Sequence, residues 1–464
     1  MANRLMLAGT GSGCGKTTLT CALLAALNSL GKEIISFKCG PDYIDPVFHK
    51  KTSGTESRNL DVFLMGEEGV KYGLAVHTRD KEIAVLEGVM GLYDGLGNGS
   101  FASSNHVSVL TNTPVVLIVN TKGLSVSVCA LIKGFLDFEK NNIRAVILNN
   151  TSEGMYSFYK QMIEERLNIK VIGFMPHIQE AQIESRYLGL YMPDNMAEKI
   201  NILRDYALKY IDIDALLDIA GKTEPLSYTQ NLIPIMGSDP LLSLPNNCEI
   251  KIYAASDEAF SFWYEDNHDL LKTMGAEIKF FSPIHDQALP DDADGLLLWG
   301  GYPELYASAL EANIGMKHSL KSAIEKRLPV YAEGGGFMYL HQSLNDLQGN
   351  TFRMLGVLNG NVTMTEKLQN FGYYRIEAQR DNMLCNKGGK INAHFFHRSV
   401  SGMSHDYQGD CFIALKQSGK SFPCIVSQEN IFAGYQHLHF WGNSCFAQNF
   451  INNCIEYKKK RCTQ

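Results

Sequence analysis

Gly9-Thr10-Gly11-Ser12-Gly13-Cys14-Gly15-Lys16-Thr17-Thr18 follows the apolar run Leu5-Met6-Leu7-Ala8 and precedes Leu19-Thr20-Cys21-Ala22-Leu23-Leu24. That order reads as strand, glycine-rich turn, helix. Glycines let consecutive backbone N–H groups curl around a phosphate, and the helix N-terminus adds partial positive charge. Gly11 to Thr18 are therefore the candidate cofactor-binding residues, with Lys16 reaching the outer phosphates and Thr17 holding Mg²⁺. The spacing departs by one residue from the plain phosphate-loop pattern, because position 10 is Thr and the first glycine, Gly9, lies one place earlier. The expected ligand is a nucleoside triphosphate.

Outward from this loop, a helix is expected to about Leu30 and a strand over Glu33 to Phe37, feeding Lys38-Cys39-Gly40-Pro41-Asp42-Tyr43-Ile44-Asp45-Pro46-Val47-Phe48-His49. Two acids, two prolines and a glycine in so short a span predict a rigid loop rather than a regular element. In an open parallel sheet the ends of strands are where ligands bind. Asp42 and Asp45 are thus candidates for holding magnesium or polarising a substrate, and Tyr43 for touching an organic one. The apolar run Ile83 to Leu86 ends at Glu87, where a phosphate-loop protein places its second metal contact, and Asp94 follows in a glycine-rich loop. Further strands are expected over 114–119, 143–148 and 169–174. Strands alternating with helices and ending in acids predict a doubly wound parallel sheet.

A chain of 464 residues exceeds one compact core, so two or three domains are expected from length. A net charge of −7 gives no electrostatic footprint for nucleic acid, and Lys458-Lys459-Lys460-Arg461 reads as a solvated tail. No apolar stretch is long enough for a membrane span and the phosphate loop starts close to Met1, so a cytoplasmic location is expected. The 11 cysteines show no metal-ligand spacing and read as reduced thiols. Pro225, Pro234, Pro240 and Pro245 mark an inter-domain linker over 222–247, dividing a first domain, 1–221, from a second, 248–464. The second half again alternates strand and helix. In it, Pro329-Val330-Tyr331-Ala332-Glu333-Gly334-Gly335-Gly336-Phe337 reads as strand, tight turn and helix, the arrangement of a nucleophile elbow.

The stretches Lys38 to His49, Glu87 to Gly95 and Ser185-Arg186-Tyr187-Leu188-Gly189-Leu190 resemble the ATP-binding half of the cobyrinic acid a,c-diamide synthase family. Gly300-Gly301-Tyr302-Pro303-Glu304 and the elbow resemble the class I glutamine amidotransferase domain fused to it, so the resemblance covers nearly the whole chain. It implies an ATP- and Mg²⁺-dependent ligase of cobalamin biosynthesis that amidates the a and c acetates of a corrin through acyl phosphates. Thr17, Asp42 and Glu87 are the implied metal ligands. Asp42 and Asp94 are acids for metal or ammonia, and Tyr43 is a corrin contact. Close relatives of the same pattern act on hydrogenobyrinic acid or nickel-sirohydrochlorin, and a non-catalytic nucleotide-dependent corrinoid binder is the alternative from another class. Partners other than the tetrapyrrole acid and its nitrogen donor are not implied, and a homodimer is left open.

The family carries Ala-Glu-Cys-Gly-Gly at the elbow; here Gly334 stands where the cysteine belongs, so the glutaminase half is expected to be impaired and ammonia to be the donor. Gln436-His437-Leu438-His439 resembles the strand bearing the family's histidine. Residues two apart on a strand share a face, so His437 and His439 are both candidates. A second departure is Ala393-His394-Phe395-Phe396-His397, where relatives have His-Glu-Phe-His.

Overall fold

The structure, a computed structural model, describes residues 2–182, 185–186, 189–190, 196–229, 249–403 and 410–463. The chain divides into two compact units, Met1–Leu232 and Ile233–Gln464. The division falls inside the proline-bearing segment, of which Pro234, Pro240 and Pro245 lie outside the described residues. Among the described residues no helix is long and apolar enough to cross a membrane.

The first unit is built on β1 (Asn3–Gly9), β2 (Ile34–Cys39), β3 (Ser57–Leu60), β4 (Ile83–Glu87), β5 (Val115–Asn120), β6 (Ile143–Asn149) and β7 (Lys170–Met175). They form one sheet in the order β3-β2-β4-β1-β5-β6-β7, every pair parallel. All residues of β2 and β4 are buried, as expected of parallel strands covered on both faces. The strand order reverses beside β1, the topological position at which open parallel sheets bind ligands, and α1 (Lys16–Ser29) begins there. Leu19, Leu23, Leu24 and Leu27 of α1 pack with Leu5, Leu7, Val85 and Val116 in the core.

The expected loop after β2 is not a loop throughout. β2 runs on through Lys38 and Cys39, and α2 (Ile44–Ser53) starts inside the Pro-Asp stretch. Pro46 is tolerated because it falls in the first helical turn, where no intrahelical N–H bond is required. Only Gly40 to Tyr43 turns the chain; Gly40 has φ +85, and Asn59 Nδ2 donates to the carbonyls of Gly40 and Asp42. Of the Ser185 to Leu190 motif, Tyr187 and Leu188 lie outside the described residues, and the flanking pairs form the two short antiparallel strands β8 (Ser185–Arg186) and β9 (Gly189–Leu190).

The second unit opens with β10 (Ile250–Ala255), β11 (Ala276–Phe281), β12 (Gly295–Leu298) and β13 (Val330–Glu333), parallel in the order β11-β10-β12-β13. The sheet continues through strands that the sequence does not announce, β14 (His341–Asn345), β15 (Thr351–Arg353), β16 (Leu358–Ala378), β17 (Lys390–Ser401), β18 (Asp410–Leu415), β19 (Ser421–Gln428) and β20 (Ile431–Gly434), and β21 (Gln436–Leu438) lies where a histidine-bearing strand was expected. β20 is parallel to β13, whereas β16 pairs antiparallel with β17 and β18, and β17 with β21. Much of β16 is exposed, so it lacks the apolar run that announces a buried strand.

Candidate functional site

In the first unit the site is assembled at the C-terminal ends of β1, β2 and β4. Register places Glu87 of β4 opposite Leu7 of β1 on one side and opposite Lys38 of β2 on the other. Thr17 Oγ1 donates to Glu87 Oε1 at 2.6 Å, Lys38 Nζ donates to the same oxygen at 2.8 Å, and His49 Nε2 lies 2.7 Å from Oε2. Lys38 Nζ also meets Asp45 Oδ2 at 2.5 Å. Lys38, His49, Asp45 and Glu87 are all buried. Burial opposes the Lys38 ammonium, but the carboxylates of Asp45 and Glu87 outweigh it and push Lys38 above the ordinary lysine value. Burial likewise opposes ionisation of Glu87, and Lys38 with His49 pull it below the usual carboxylate range. Asp45 is raised to about 7 by burial against the pull of Lys38.

Lys16 Nζ donates to the carbonyls of Gly11 at 2.9 Å and Met90 at 2.6 Å, and burial lowers its pKa. Asn149, at the end of β6, donates from Nδ2 to the Cys14 carbonyl at 2.8 Å. Gly15, with φ +98, is what permits this approach: a Cβ there would stand 2.1 Å from Asn149 Nδ2. Asp42 is partly exposed and accepts from the Ile44 N–H at 2.9 Å, and Asp94 is exposed and accepts from the Gly91 N–H at 2.8 Å. Tyr43, expected to reach a substrate, is only 6% exposed. The structure thus brings Lys16, Thr17 and Glu87 together and adds Lys38, His49 and Asn149, which no local motif marks. Lys38 and His49 are joined to Glu87 by strand register and by the start of α2, neither of which is visible in the linear sequence.

The donor set suits a divalent cation. The Thr17 hydroxyl gives its proton to Glu87 and keeps its lone pairs free, while Asp42 has one carboxylate oxygen beyond the Ile44 contact. Glu87, the other expected metal ligand, meets Thr17 and Lys38 through Oε1 and His49 through Oε2.

In the second unit β13 ends at Glu333, and Gly334 turns the chain with φ 52 and ψ −113 into the short helix Gly335–Leu340. A side chain with a Cβ is strained in this region of backbone space. The elbow is closed by the Gly334 N–H donating to the Gly434 carbonyl at 2.9 Å and the Gly336 N–H donating to the Trp299 carbonyl at 3.0 Å. A Cβ on Gly334 would lie 2.8 Å from His437 Cε1 and 3.3 Å from His437 Nε2. His437 therefore faces the elbow. His439 does not: β21 ends at Leu438, and His439 Nε2 lies instead 3.4 Å from Asp266 Oδ2. The expectation that both histidines share a strand face fails because the strand stops between them. Phe395 is buried and sits opposite Gln436 in register, where both amide atoms of Gln436 lack a hydrogen-bond partner. Cys424 is buried on β19, and Cys445 is exposed at the start of the last helix.

Comparison with known proteins agrees with this two-unit arrangement. The CobQ/CobB/MinD/ParA nucleotide binding domain matches residues 5–187, and the CobB/CobQ-like glutamine amidotransferase domain matches residues 251–445. The chain is 40% identical over 462 residues to the cobyrinate a,c-diamide synthase of Clostridium tetani, covering 96% of this chain and 99% of that one. It is 38% identical to that of Caldanaerobacter subterraneus subsp. tengcongensis, covering 99% and 100%. It is also 38% identical to that of Clostridium acetobutylicum, covering 96% and 99%.

Proposed function

The chain belongs to the cobyrinate a,c-diamide synthase family, and from that premise we propose that it amidates the a and c acetate carboxylates of cobyrinic acid with ATP, using ammonia as the nitrogen donor. The observation that carries the donor assignment is Gly334: the position facing His437 has no side chain, so no nucleophile stands there to open a glutamine amide.

A carboxylate is a poor electrophile with no leaving group. Transfer of the γ-phosphoryl group to an acetate oxygen gives an acyl phosphate and ADP; ammonia then adds to the acyl carbon, loses a proton, and phosphate departs with the C–O electron pair. Lys16 and the phosphate-loop amides bear the charge that collects on the phosphoryl oxygens. Thr17 and Asp42 would hold Mg²⁺, which shields the phosphates when bound, and Glu87 fixes the Thr17 hydroxyl for that task. Lys38 keeps Glu87 ionised in a fully buried position. Asp94, exposed in the loop after β4, is the proposed carboxylate base that takes the proton lost by the adding ammonia, and Asp42 follows the C-terminal end of the neighbouring β2.

The test is ADP release by the purified chain with Mg-ATP and ammonium, with and without cobyrinic acid. ADP formed in step with amide, and only when the tetrapyrrole acid is present, supports the reading. Binding of the acid with no ADP release would overturn it in favour of a nucleotide-dependent binder.

A further inference from the structure

A buried acid stands directly before the elbow. Glu333, the last residue of β13, is 1% exposed, and three donors converge on it. Tyr331 Oη donates to Oε2 at 2.8 Å, the Leu438 N–H reaches Oε2 at 3.4 Å, and His437 Nδ1 lies 3.2 Å from Oε1. A carboxylate accepts, so the proton of this last contact is on Nδ1. The opposite edge of the ring then carries the lone pair on Nε2, and that edge faces position 334, where a Cβ would be 3.3 Å away. The residue two places beyond His437 cannot supply such an acid, since it is His439 with its ring beside Asp266.

We propose that Glu333 is a positioning residue that fixes the Nδ1–H tautomer and orientation of His437, so that the elbow retains an oriented base in front of a missing nucleophile. The proposal rests on the reading of Gly334 as the vacated nucleophile position. With a cysteine at 334, the S–H bond would break with its electron pair left on sulfur and its proton moved to Nε2, and the resulting imidazolium would be held by Glu333. Among the described residues, His394, paired with His437 in register, and His397 are titratable groups that interact electrostatically with it, both on β17 and buried.

The first arm of the test uses the full chain as it exists, labelled with ¹⁵N-histidine, and reads the tautomer of His437 by NMR at neutral pH. The Nδ1–H form in the native chain, lost or mixed with Nε2–H in Glu333→Gln, is the expected result. An Nε2–H form in the native chain, or the same tautomer with and without the Glu333 carboxylate, would overturn the proposal. The second arm uses Gly334→Cys and follows alkylation of the introduced thiol by iodoacetamide against pH. Adding Glu333→Gln is expected to slow alkylation near pH 7 by about tenfold or more; an unchanged pH profile would count against Glu333. Both arms are independent of tetrapyrrole amidation, so failure here is distinguishable from failure of the synthase reading.

Discussion

At the scale of single residues, the most consequential contact is one the primary structure does not announce. Lys38 sits between Glu87 and Asp45 with no water-exposed route for its charge, and it shares Glu87 Oε1 with the Thr17 hydroxyl. Removing one partner of such a buried set leaves uncompensated charge, which costs about 3–5 kcal/mol. Lys38→Met is therefore expected to lower the stability of the first unit by about that amount, measured by chemical denaturation, and to weaken Mg-ATP binding with it because Glu87 loses the partner that keeps it ionised. An unfolding midpoint unchanged from the parent would show that the two acids protonate or relax at no cost. The phosphate loop itself was legible from sequence because its chemistry is local: glycines, a lysine and a threonine at fixed spacing between a strand and a helix. Lys38 and His49 were quoted in the same stretch as Asp42 and Asp45 yet carried no mark, since what gives them a role is the pairing of β2 with β4. His437 and His439 were equivalent in sequence and are separated by where β21 ends.

At the scale of elements, the elbow is the place where a local rule and a functional one diverge. Gly334 adopts φ 52 and ψ −113, so the turn itself demands glycine or tolerates strain, whatever chemistry once stood there. Gly334→Ala is expected to destabilise the second unit by about 1–3 kcal/mol, seen as a lower unfolding midpoint, with His437 Cε1 at 2.8 Å from the new methyl adding to the backbone term. Stabilisation by alanine would mean that the turn relaxes and that the elbow geometry is not enforced. Parallel strands such as β4 and β5 were readable because each is a short apolar run closed by one polar residue, Glu87 or Asn120. The stretch after β2 was misread: its prolines looked like a loop, but one of them occupies the first turn of α2, the one helical position where proline is neutral. The largely antiparallel stretch from β14 to β19 was not legible, because long, partly exposed strands such as β16 carry neither a buried run nor a clean alternation.

At the scale of the whole molecule, the two units differ in how they respond to acid. Burial lowers His341 to about 4, His394 to about 3 and His397 to about 4, all in the second unit. A histidine whose folded pKa lies below its unfolded value of 6.5 is neutral in the fold, so the unfolded chain binds more protons as pH falls below about 6.5. The stability these groups contribute is present above pH 6.5 and is lost toward pH 4, at about 1.4 kcal/mol per pH unit for each histidine. Asp45 in the first unit and Glu304 in the second, each raised to about 7 by burial, have the opposite sign, since their folded forms bind the proton more readily and gain as pH falls, so in the second unit one carboxyl offsets part of the effect of three histidines. Calorimetry at pH 7.5 and pH 5 is expected to resolve a second-unit transition that moves down more than the first; equal shifts would contradict the assignment of buried neutral histidines. In the function we propose, the first unit carries out the amidation and the second, with Gly334 at its elbow, releases no ammonia from glutamine. The measurement that tests it most directly is amide formation from cobyrinic acid and Mg-ATP with ¹⁵N-ammonium or with amide-¹⁵N-glutamine as the nitrogen source. Labelled a,c-diamide from ammonium alone is the predicted result; labelled product from glutamine would contradict it, because some group other than residue 334 would then be opening the amide.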